Sequence, residues 1–340
     1  MSTRPSSRQP DRALIGVLKD AGLIESLGET TFEPLTGGVS SEIWKVETSD
    51  LTFCVKRALK QLNVTALWLA PVERNRFEVA WFRTANGIVP GSTPRVLFDD
   101  DEANWFAMEY LQPGDHAVWK SELLDGRVQP AIAAEVGRRL AAIHAGTAGS
   151  AEVAVQFPRT DIFQAIRLEP YLEATAERHQ DIAPNLYELS RRTAGTRLAM
   201  IHGDVSPKNI LIGPNGPVFL DAECATIGDP AFDLAFCLNH FLLKCLSNES
   251  AQPAYAASFQ AMASAYLGGV EWENADVLER RAASLLPGLF LARIDGKSPV
   301  EYVTEEDDKR KVRRCARGLI KAPPSRLEEV IAAWQRELAS

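Results

Sequence analysis

The chain has 340 residues, of which 46% are hydrophobic and 24% are charged, a composition typical of a globular protein large enough for two separately packed lobes. Its formal net charge of −8 argues against a nucleic-acid-binding protein, because phosphate contacts require a basic surface, and gives a weak indication of cationic ligands. The chain has no apolar run near the roughly 18 residues of a membrane span, and its polar start "MSTRPSSRQPDR" lacks the apolar segment of a secretion signal. We therefore expect neither a nucleic-acid nor a membrane partner.

The first third of the chain predicts a small lobe of strands with one helix. Two strand-like runs flank "TGGVSS", a third run, "LTFCVK", follows a turn at "TSD", and a helical stretch surrounds "PVERNRFEVAWFRTAN". The segment "STPRVLFDDDEANWFAMEYL" is typical of a hairpin with an acidic turn. We expect residues 1–28 to form a tail and a leading helix, residues 29–111 to form this lobe, and "QPGD" to cross into a second lobe over residues 112–340.

The second lobe shows the three- and four-residue spacing of amphipathic helices. Four apolar residues of "QPAIAAEVGRRLAAIHAGT" fall on one helical face: Ile132, Val136, Leu140 and Ile143. Further helical patterns cover residues 161–193, 229–246, 253–267, 276–293, 304–320 and 325–338. The last begins "SRLE", in which Ser325 and Glu328 predict a capping box.

The cysteines indicate the redox compartment. There are five, an odd number with no C-x-x-C pair, and most lie in apolar stretches. This usage favours reduced, buried thiols in a cytoplasmic protein and gives no sign of a zinc site.

One hairpin interrupts the helical lobe and brings polar residues together. In "NILIGPNGPVFLD", a three-residue loop over 214–216 would pair Asn209 with Asp221, with their Cβ atoms about 4.5–5.5 Å apart. A different loop length would shift this register. Two hard oxygen ligands side by side suit Mg²⁺, which takes few protein ligands and leaves room for phosphate oxygens.

A third polar residue, Asp204, precedes the hairpin in "IHGDVSPKN", just after an apolar run. A carboxylate at this position can orient an attacking hydroxyl and accept its proton. The spacing of five residues from Asp204 to Asn209 matches the catalytic loop of kinases. The alternative is a polar loop whose Asp and Asn side chains only cap turns.

Together, "HGDVSPKN", "FLDAE" and "GDPAFDLAF" closely resemble the aminoglycoside phosphotransferase and choline kinase-like family of small-molecule kinases. The resemblance implies an α+β, bilobal, protein-kinase-like fold with a small mixed β-sheet N-lobe and a larger, mainly helical C-lobe. It also implies ATP and Mg²⁺ as cofactors, Asp204 as the catalytic residue, and Asn209 and Asp221 as metal ligands. The "DAE" triplet adds some resemblance to the 5-methylthioribose kinase branch.

In such a fold the segment "LTGGVSSE" would cover the phosphates of ATP. Backbone N–H groups of Gly37 and Gly38, with the hydroxyl of Ser40 or Ser41, would be the donors. A plain Gly-Gly hairpin turn is the alternative meaning of this segment.

The resemblance also assigns an ion pair to the first lobe. Lys56, at the end of "LTFCVK", corresponds to the lysine that contacts the α- and β-phosphates. Its partner would be Glu78 rather than Glu73, because Glu78 is surrounded by apolar residues and a charge there needs a counter-ion. Glu73 and Arg74 are expected at the surface.

Two further regions are assigned to the adenine and to the acceptor. Backbone groups of Glu109 and Leu111, in "WFAMEYL", would bond the adenine edge. Arg293, Asp295 and Lys297, in "LFLARIDGKSPVEY", would reach the acceptor pocket, unless this segment is an ordinary turn at "DG".

Four residues near the motif receive supporting roles from the resemblance. Glu223 would join the metal ligands, with a hydrogen-bonding loop glutamate as the alternative. Asp233 would anchor the catalytic loop, His202 would orient it, and Lys208 would neutralise phosphate charge or simply face solvent.

The reaction implied is transfer of the γ-phosphoryl group of ATP to a hydroxyl of a small molecule, which would be the partner of this enzyme. Aminoglycosides, sugars such as methylthioribose, choline-like amines and hydroxylated natural products all remain possible acceptors. The alternatives are a nucleotide-binding pseudokinase that acts as a regulator, and a metal phosphoesterase, which the five scattered histidines do not favour.

Overall fold

The computed structural model describes residues 10, 12–35, 41–59, 71–102 and 104–340. The predicted phosphate-covering residues Gly37, Gly38 and Ser40 lie outside these ranges. The predicted strands of the first lobe are confirmed. They form a five-stranded antiparallel sheet in the order β1-β2-β3-β5-β4. Its strands are β1 Thr31–Leu35, β2 Ser41–Glu47, β3 Thr52–Ala58, β4 Val96–Asp100 and β5 Trp105–Glu109.

The two faces of this sheet carry different helices because side chains alternate along each strand. Helix α1 (Arg12–Asp20) packs through Leu14 and Leu18 onto a core that contains Phe53 and Val55 of β3. Helix α2 (Arg74–Ile88) covers the opposite face, towards which Lys56 points. The alternation of β3 therefore places Lys56 between the sheet and α2.

The second lobe is mainly helical, as predicted. Its helices are α3 Trp119–Leu124, α4 Pro130–Thr147, α5 Ala151–Ala154, α6 Asp161–Phe163, α7 Ala174–Arg178, α8 Ala183–Gly195, α9 Pro230–Lys244, α10 Gln252–Leu267, α11 Ala275–Asp295, α12 Glu306–Lys321 and α13 Leu327–Leu338. A π-helical stretch, Gln164–Glu173, joins α6 to α7 and contains Pro170. Within the described ranges, no helix is both long and apolar enough to cross a bilayer.

Helix α9 is the centre of this lobe. Every residue from Pro230 to Lys244 is buried, as expected for a helix that is apolar all round and enclosed by others. Its start is fixed by Asp229, whose carboxylate accepts a hydrogen bond from the backbone N–H of Ala231 at 3.0 Å. Helices α10 and α11 pack along α9, so its C-terminal end is held firmly inside the lobe.

Short strands flank the polar motif. They are β6 Ala117–Val118, β7 Ala199–Ile201, β8 Ile210–Gly213, β9 Gly216–Phe219 and β10 Thr226–Gly228. The predicted register of the β8–β9 hairpin is wrong by one residue, because Gly213 pairs with Gly216 and Ile210 pairs with Phe219. The turn has two residues rather than three, since Gly216 adopts φ +102° and resumes the pairing directly. Asn209 is therefore not opposite Asp221.

The predicted cap of the last helix is also corrected. Helix α13 begins at Leu327, so the third helical residue is Glu329 and not Glu328. The Glu329 carboxylate accepts hydrogen bonds from the Ser325 hydroxyl at 2.9 Å and from the Arg326 backbone N–H at 3.0 Å. The capping box is therefore present, but it is formed by Arg326 and Glu329, one residue later than predicted.

Candidate active site

Asp233 holds the backbone of residues 202–209, the predicted catalytic loop, which follow β7. Its two carboxylate oxygens accept hydrogen bonds from the backbone N–H groups of His202 at 2.7 Å and Gly203 at 2.8 Å. Asp233 lies in the first turn of α9 and is fully buried. The anchoring role that the resemblance implied for Asp233 is therefore present in the structure.

His202 connects the catalytic loop to the end of the hairpin. Its Nδ1 accepts the backbone N–H of Asp204 at 3.2 Å, so its Nε2 carries the proton and donates to the Leu220 carbonyl at 3.0 Å. Burial lowers the pKa of His202, which keeps the ring neutral. Trp81 of α2 lies edge-on to this ring, with centroids 4.7 Å apart. The ring thus spans both loops and contacts α2.

Gly203 allows two loops of the site to approach closely. Its φ of +76° is a left-handed conformation, and a Cβ there would lie 2.8 Å from both the Cβ and the carbonyl oxygen of Cys224. Any side chain would therefore push the catalytic loop away from the segment that carries Asp221.

Asp204 is 2% exposed and surrounded by donors. Its Oδ2 lies 2.7 Å from the Arg167 guanidinium, 2.8 Å from the Asn209 amide nitrogen and 3.2 Å from Lys208 Nζ. Burial favours the neutral acid, but Arg167 and Lys208 outweigh it and hold the pKa of Asp204 below its usual value. The carboxylate is consequently ionised at neutral pH.

Asn209 and Asp221 present two oxygens that fit a magnesium ion. The Asn209 amide nitrogen faces Asp204, which leaves its Oδ1 as the available ligand atom. Asp221 adopts φ +63°, its side chain is 28% exposed, and its Oδ2 has no hydrogen-bond partner among the described residues. No cluster of three His, Cys, Asp or Glu metal ligands occurs in the described part of the chain. A metal here would rely on these two oxygens and on oxygens it brings, which suits Mg²⁺.

Lys56 connects the sheet to this site. Its Nζ lies 2.8 and 2.7 Å from the two Glu78 oxygens and 2.5 Å from Asp221 Oδ1. Burial alone lowers a lysine pKa, but Asp221 and Glu78 more than offset this and hold the pKa of Lys56 above its usual value. Glu73 instead pairs with Arg159 at the surface, so Glu78 is the glutamate that meets Lys56.

Glu223 is held by an arginine that sequence reasoning placed at the surface. Arg74 is fully buried, and its Nε lies 2.9 Å from Glu223 Oε2. The expectation of an exposed Arg74 is wrong, because this first residue of α2 points into the site. The hydrogen-bonding alternative for Glu223 matches this contact, and its role as a metal ligand stays a prediction.

Arg167 is a residue of the candidate site that the sequence analysis did not identify. It lies in the π-helical stretch, donates to the Gly203 carbonyl at 2.7 Å and contacts Asp204 as described. The available signal was an arginine between the apolar residues of "AIRL", since a charge in apolar surroundings requires a partner.

The predicted adenine-binding segment ends β5. The Glu109 backbone N–H is used within the sheet, where it donates to the Arg95 carbonyl at 2.9 Å. The Leu111 N–H, just beyond the strand, meets no acceptor among the residues described here. These positions are compatible with the predicted backbone contacts, which remain a prediction.

A cavity of about 40 Å³ lies beside the catalytic loop. Of the three residues predicted to reach an acceptor pocket, only Arg293 lines it. Asp295 instead accepts hydrogen bonds from Arg313 and His179, and Lys297 pairs with Glu169 at the surface. The charged and titratable residues that line the cavity are Lys120, Lys208, His240, Lys244, Arg293, Glu301 and Tyr302.

Comparison with protein families finds that a model of the phosphotransferase enzyme family (APH) matches residues 31–276. Methylthioribose kinase from Escherichia coli O45:K1 (strain S88 / ExPEC) is 27% identical over 252 residues, which cover 65% of this chain and 58% of that protein. Methylthioribose kinase from Pectobacterium carotovorum (strain PC1) is 27% identical over 227 residues, which cover 58% and 56%. The chain thus spans less than three fifths of the length of these two relatives.

Solved structures share the fold at low sequence identity. A choline/ethanolamine kinase family protein from Mesorhizobium loti has a TM-score of 0.53 and 16% identity, covering 95% of this chain and 99% of its own. Choline kinase from Cryptosporidium parvum Iowa II has a TM-score of 0.52 and 13% identity, covering 96% and 94%. Both likenesses extend over both lobes and confirm the predicted kinase-like, α+β, bilobal fold.

Proposed function

Because the chain belongs to the phosphotransferase enzyme family, we propose that it moves the γ-phosphoryl group of Mg-ATP to a hydroxyl of a small molecule. The observation that carries this proposal is the 2.5 Å contact between Lys56 of the sheet and Asp221 of the second lobe. The contact brings Lys56, proposed to bind phosphate, next to Asp221, proposed to bind the metal, close to an ionised Asp204.

In the proposed reaction the acceptor oxygen bonds to the γ-phosphorus, the bond to the β-phosphate oxygen breaks, and ADP leaves. Asp204 orients the acceptor hydroxyl and takes its proton. Lys56 contacts the α- and β-phosphates, and Glu78 keeps its ammonium in place. Asn209 and Asp221 would hold Mg²⁺, which supplies charge neutralisation on the phosphate oxygens. Catalysis rests mainly on positioning and on charge.

The remaining assignments complete the proposal. Gly37, Gly38 and Ser40 would cover the phosphates, the backbones of Glu109 and Leu111 would bind adenine, and Glu223 would support the metal. A cytoplasmic location is supported by five cysteines that are all free and buried. A sugar acceptor is an alternative within the same chemistry, supported by the similarity to proteins named methylthioribose kinase.

The test is removal of the Asp204 carboxylate. Asp204→Ala and Asp204→Asn should lower kcat by roughly 10²–10⁴-fold, the usual contribution of a positioned base. The dissociation constant of Mg-ATP, measured by calorimetry, should stay within about twofold because Asp204 contacts the acceptor rather than the nucleotide. Asp276→Asn, on the exposed start of α11, is the matched control.

Near wild-type turnover in the Asp204 variants would remove Asp204 from the proposed mechanism. Tight Mg-ATP binding by the wild type without transfer to any hydroxyl compound would favour the pseudokinase alternative. That screen uses polyols, amino-alcohols, sugars, hydroxy acids and aminoglycosides.

A further inference from the structure

The cavity beside the predicted catalytic loop lies close to the proposed base, Asp204. Pro207 and Lys208 of the predicted catalytic loop form one side of it, and side chains from α3, α9, α11 and the segment between α11 and α12 form the others. Lys208 both lines the cavity and lies 3.2 Å from Asp204, so one side chain separates the cavity from the proposed base. A volume of about 40 Å³ has room for a group of about three or four heavy atoms rather than a whole acceptor.

The charge in this cavity is opposite to that of the whole chain. Four cations line it, whereas Glu301 is its only carboxylate among the residues described. Two of the cations are neutralised, since Lys120 pairs with Glu301 and Lys208 pairs with Asp204. Lys244 and Arg293 make no ion pair with any described carboxylate.

The burial of the Lys244 ammonium is energetically unfavourable. Lys244 is the last residue of α9 and is 1% exposed. Among the described residues its Nζ contacts only Tyr302, 3.5 Å from the hydroxyl and 4.6 Å from the ring centroid. Burial, aided by the nearby charge of Lys120, lowers the pKa of Lys244 to about 7. A buried ammonium without a counter-ion is unfavourable, so an anion beside Lys244 would stabilise its charged form.

Two nitrogen atoms of residues that line the cavity have no hydrogen-bond partner among the described residues. Arg293 donates through Nη1 to the Tyr171 hydroxyl at 3.1 Å and to the Ser298 hydroxyl at 3.0 Å. Its Nε is buried with no acceptor among the described residues. His240, one turn before Lys244 on α9, likewise has a buried Nε2 without a partner in the described chain. An oxygen-rich anion would satisfy these groups together with the Lys244 ammonium.

We propose that the acceptor carries a carboxylate or phosphate group, which binds between Lys244 and Arg293 while the acceptor hydroxyl meets Asp204. This inference rests on the proposed phosphoryl transfer, because it identifies the acceptor class of that same site. It opposes the weak expectation of cationic ligands from the net charge. The cavity is basic although the chain as a whole is acidic, and the local charges are those that the acceptor meets.

The first experiment compares acceptors that differ only in charge. Two matched series, of three and five carbons, contain a polyol, its carboxylate, its terminal phosphate and its terminal amine. The carboxylate and phosphate members should be phosphorylated with a kcat/KM at least about tenfold above that of the polyol and the amine. The carboxylate and phosphate arms also distinguish the two anionic groups from each other. A preference for the polyol or the amine overturns the inference.

The second experiment uses variants of the cavity. Arg293→Gln and Lys244→Met should each raise KM for the anionic acceptor about tenfold or more, with KM for Mg-ATP unchanged. Lys297→Gln is the matched control, because Lys297 lies four residues beyond Arg293 but pairs with Glu169 at the surface. Lys244→Met should also raise Tm, whereas loss of a merely structural lysine would lower it. Equal losses on charged and neutral acceptors contradict the inference.

A binding measurement separates this inference from the proposed function. If no compound is phosphorylated, calorimetry decides whether the anion site exists. It measures binding of the three-carbon carboxylate and of inorganic phosphate in the presence of Mg-ADP. Saturable binding that Arg293→Gln weakens supports the anion site and overturns phosphoryl transfer. Absence of binding by both probes overturns the anion site.

Discussion

Lys56 lies between the carboxylates of Glu78 and Asp221, so the stability of each charge depends on the others. Lys56→Met leaves Glu78 buried without its counter-ion, and we expect it to lower the free energy of unfolding by about 3 kcal/mol. The double variant Lys56→Met/Glu78→Leu should regain most of that stability, because two apolar side chains of similar volume replace the pair. Urea unfolding measures both effects.

Neither variant should bind ATP normally, since both lack the cation proposed to contact its phosphates. If the double variant is as unstable as the single one, the uncompensated carboxylate is not the cause of the loss. If either variant retains wild-type KM for ATP, Lys56 has no role in nucleotide binding.

Lys244 gives the stability of the protein a particular dependence on pH. Its pKa is about 7 in the folded state and 10.5 in the reference state, so the unfolded chain binds more protons between these values. Stability should therefore rise with pH across this window, with the penalty complete below pH 7 and absent above pH 10.5. One pKa unit corresponds to about 1.4 kcal/mol. Near pH 7, Lys244→Met should therefore raise the free energy of unfolding by a few kcal/mol.

The gain from Lys244→Met should shrink as the pH approaches 10. Urea unfolding of the variant and the wild type at both pH values checks this. A gain that does not change with pH would show that burial of the ammonium is not what Lys244 contributes to stability.

At the scale of elements, the catalytic loop depends on α9. In Asp233→Asn only one side-chain oxygen remains to accept from the backbone N–H groups of His202 and Gly203, and the amide nitrogen faces the second of these donors. We therefore expect the free energy of unfolding to fall by about 1.5–3 kcal/mol. The displaced loop should lower kcat far more than it raises KM for ATP, because Asp204 moves while Lys56 does not. Asp276→Asn again serves as the control, and an unchanged kcat would contradict the anchoring role.

The order and type of the elements follow from local patterns in the sequence. The alternation in "LTFCVK" places Lys56 opposite the core of α1, and the spacing in "PAFDLAFCLNHFLLK" predicts α9. The hairpin register does not follow, because it depends on the φ of Gly216 in a turn of unknown length. A one-residue change in that turn moves Asn209 away from the position opposite Asp221.

The residues of the candidate site can be predicted from the sequence only in part, for a related reason. Lys56, Asp204 and Asp221 belong to sequence motifs whose residue spacing predicts their roles. Arg167 and Lys244 belong to none, and both become significant only when elements distant in sequence pack together. Long-range packing of this kind is not encoded in any local pattern, so the charge of the cavity could not be predicted.

At the scale of the whole molecule, α2 unites the two lobes. Phe77, Trp81 and Phe82 belong to the large core of the second lobe, although α2 covers the sheet of the first. Trp81 contacts both the His202 ring and Phe219, at centroid distances of 4.7 and 5.9 Å. Removing the first lobe would therefore expose part of the core of the second.

We accordingly expect the protein to unfold in a single cooperative transition. Tryptophan fluorescence and far-ultraviolet circular dichroism should give the same midpoint, and the calorimetric and van't Hoff enthalpies should agree. Two resolved transitions would show that the lobes unfold independently and that the contacts of α2 do not couple them.

The cavity beside the catalytic loop has an evolutionary consequence. The two cavity cations that make no ion pair with a described carboxylate come from α9 and α11, whereas Lys56, Glu78, Asn209 and Asp221, proposed for nucleotide and metal binding, lie in β3, in α2 and beside the hairpin. Changes at two codons can therefore alter the charge that the cavity favours without touching the residues proposed for phosphoryl transfer. Descendants of one ancestral kinase could diverge towards acids, sugars or amines in this way, each keeping the same inherited chemistry.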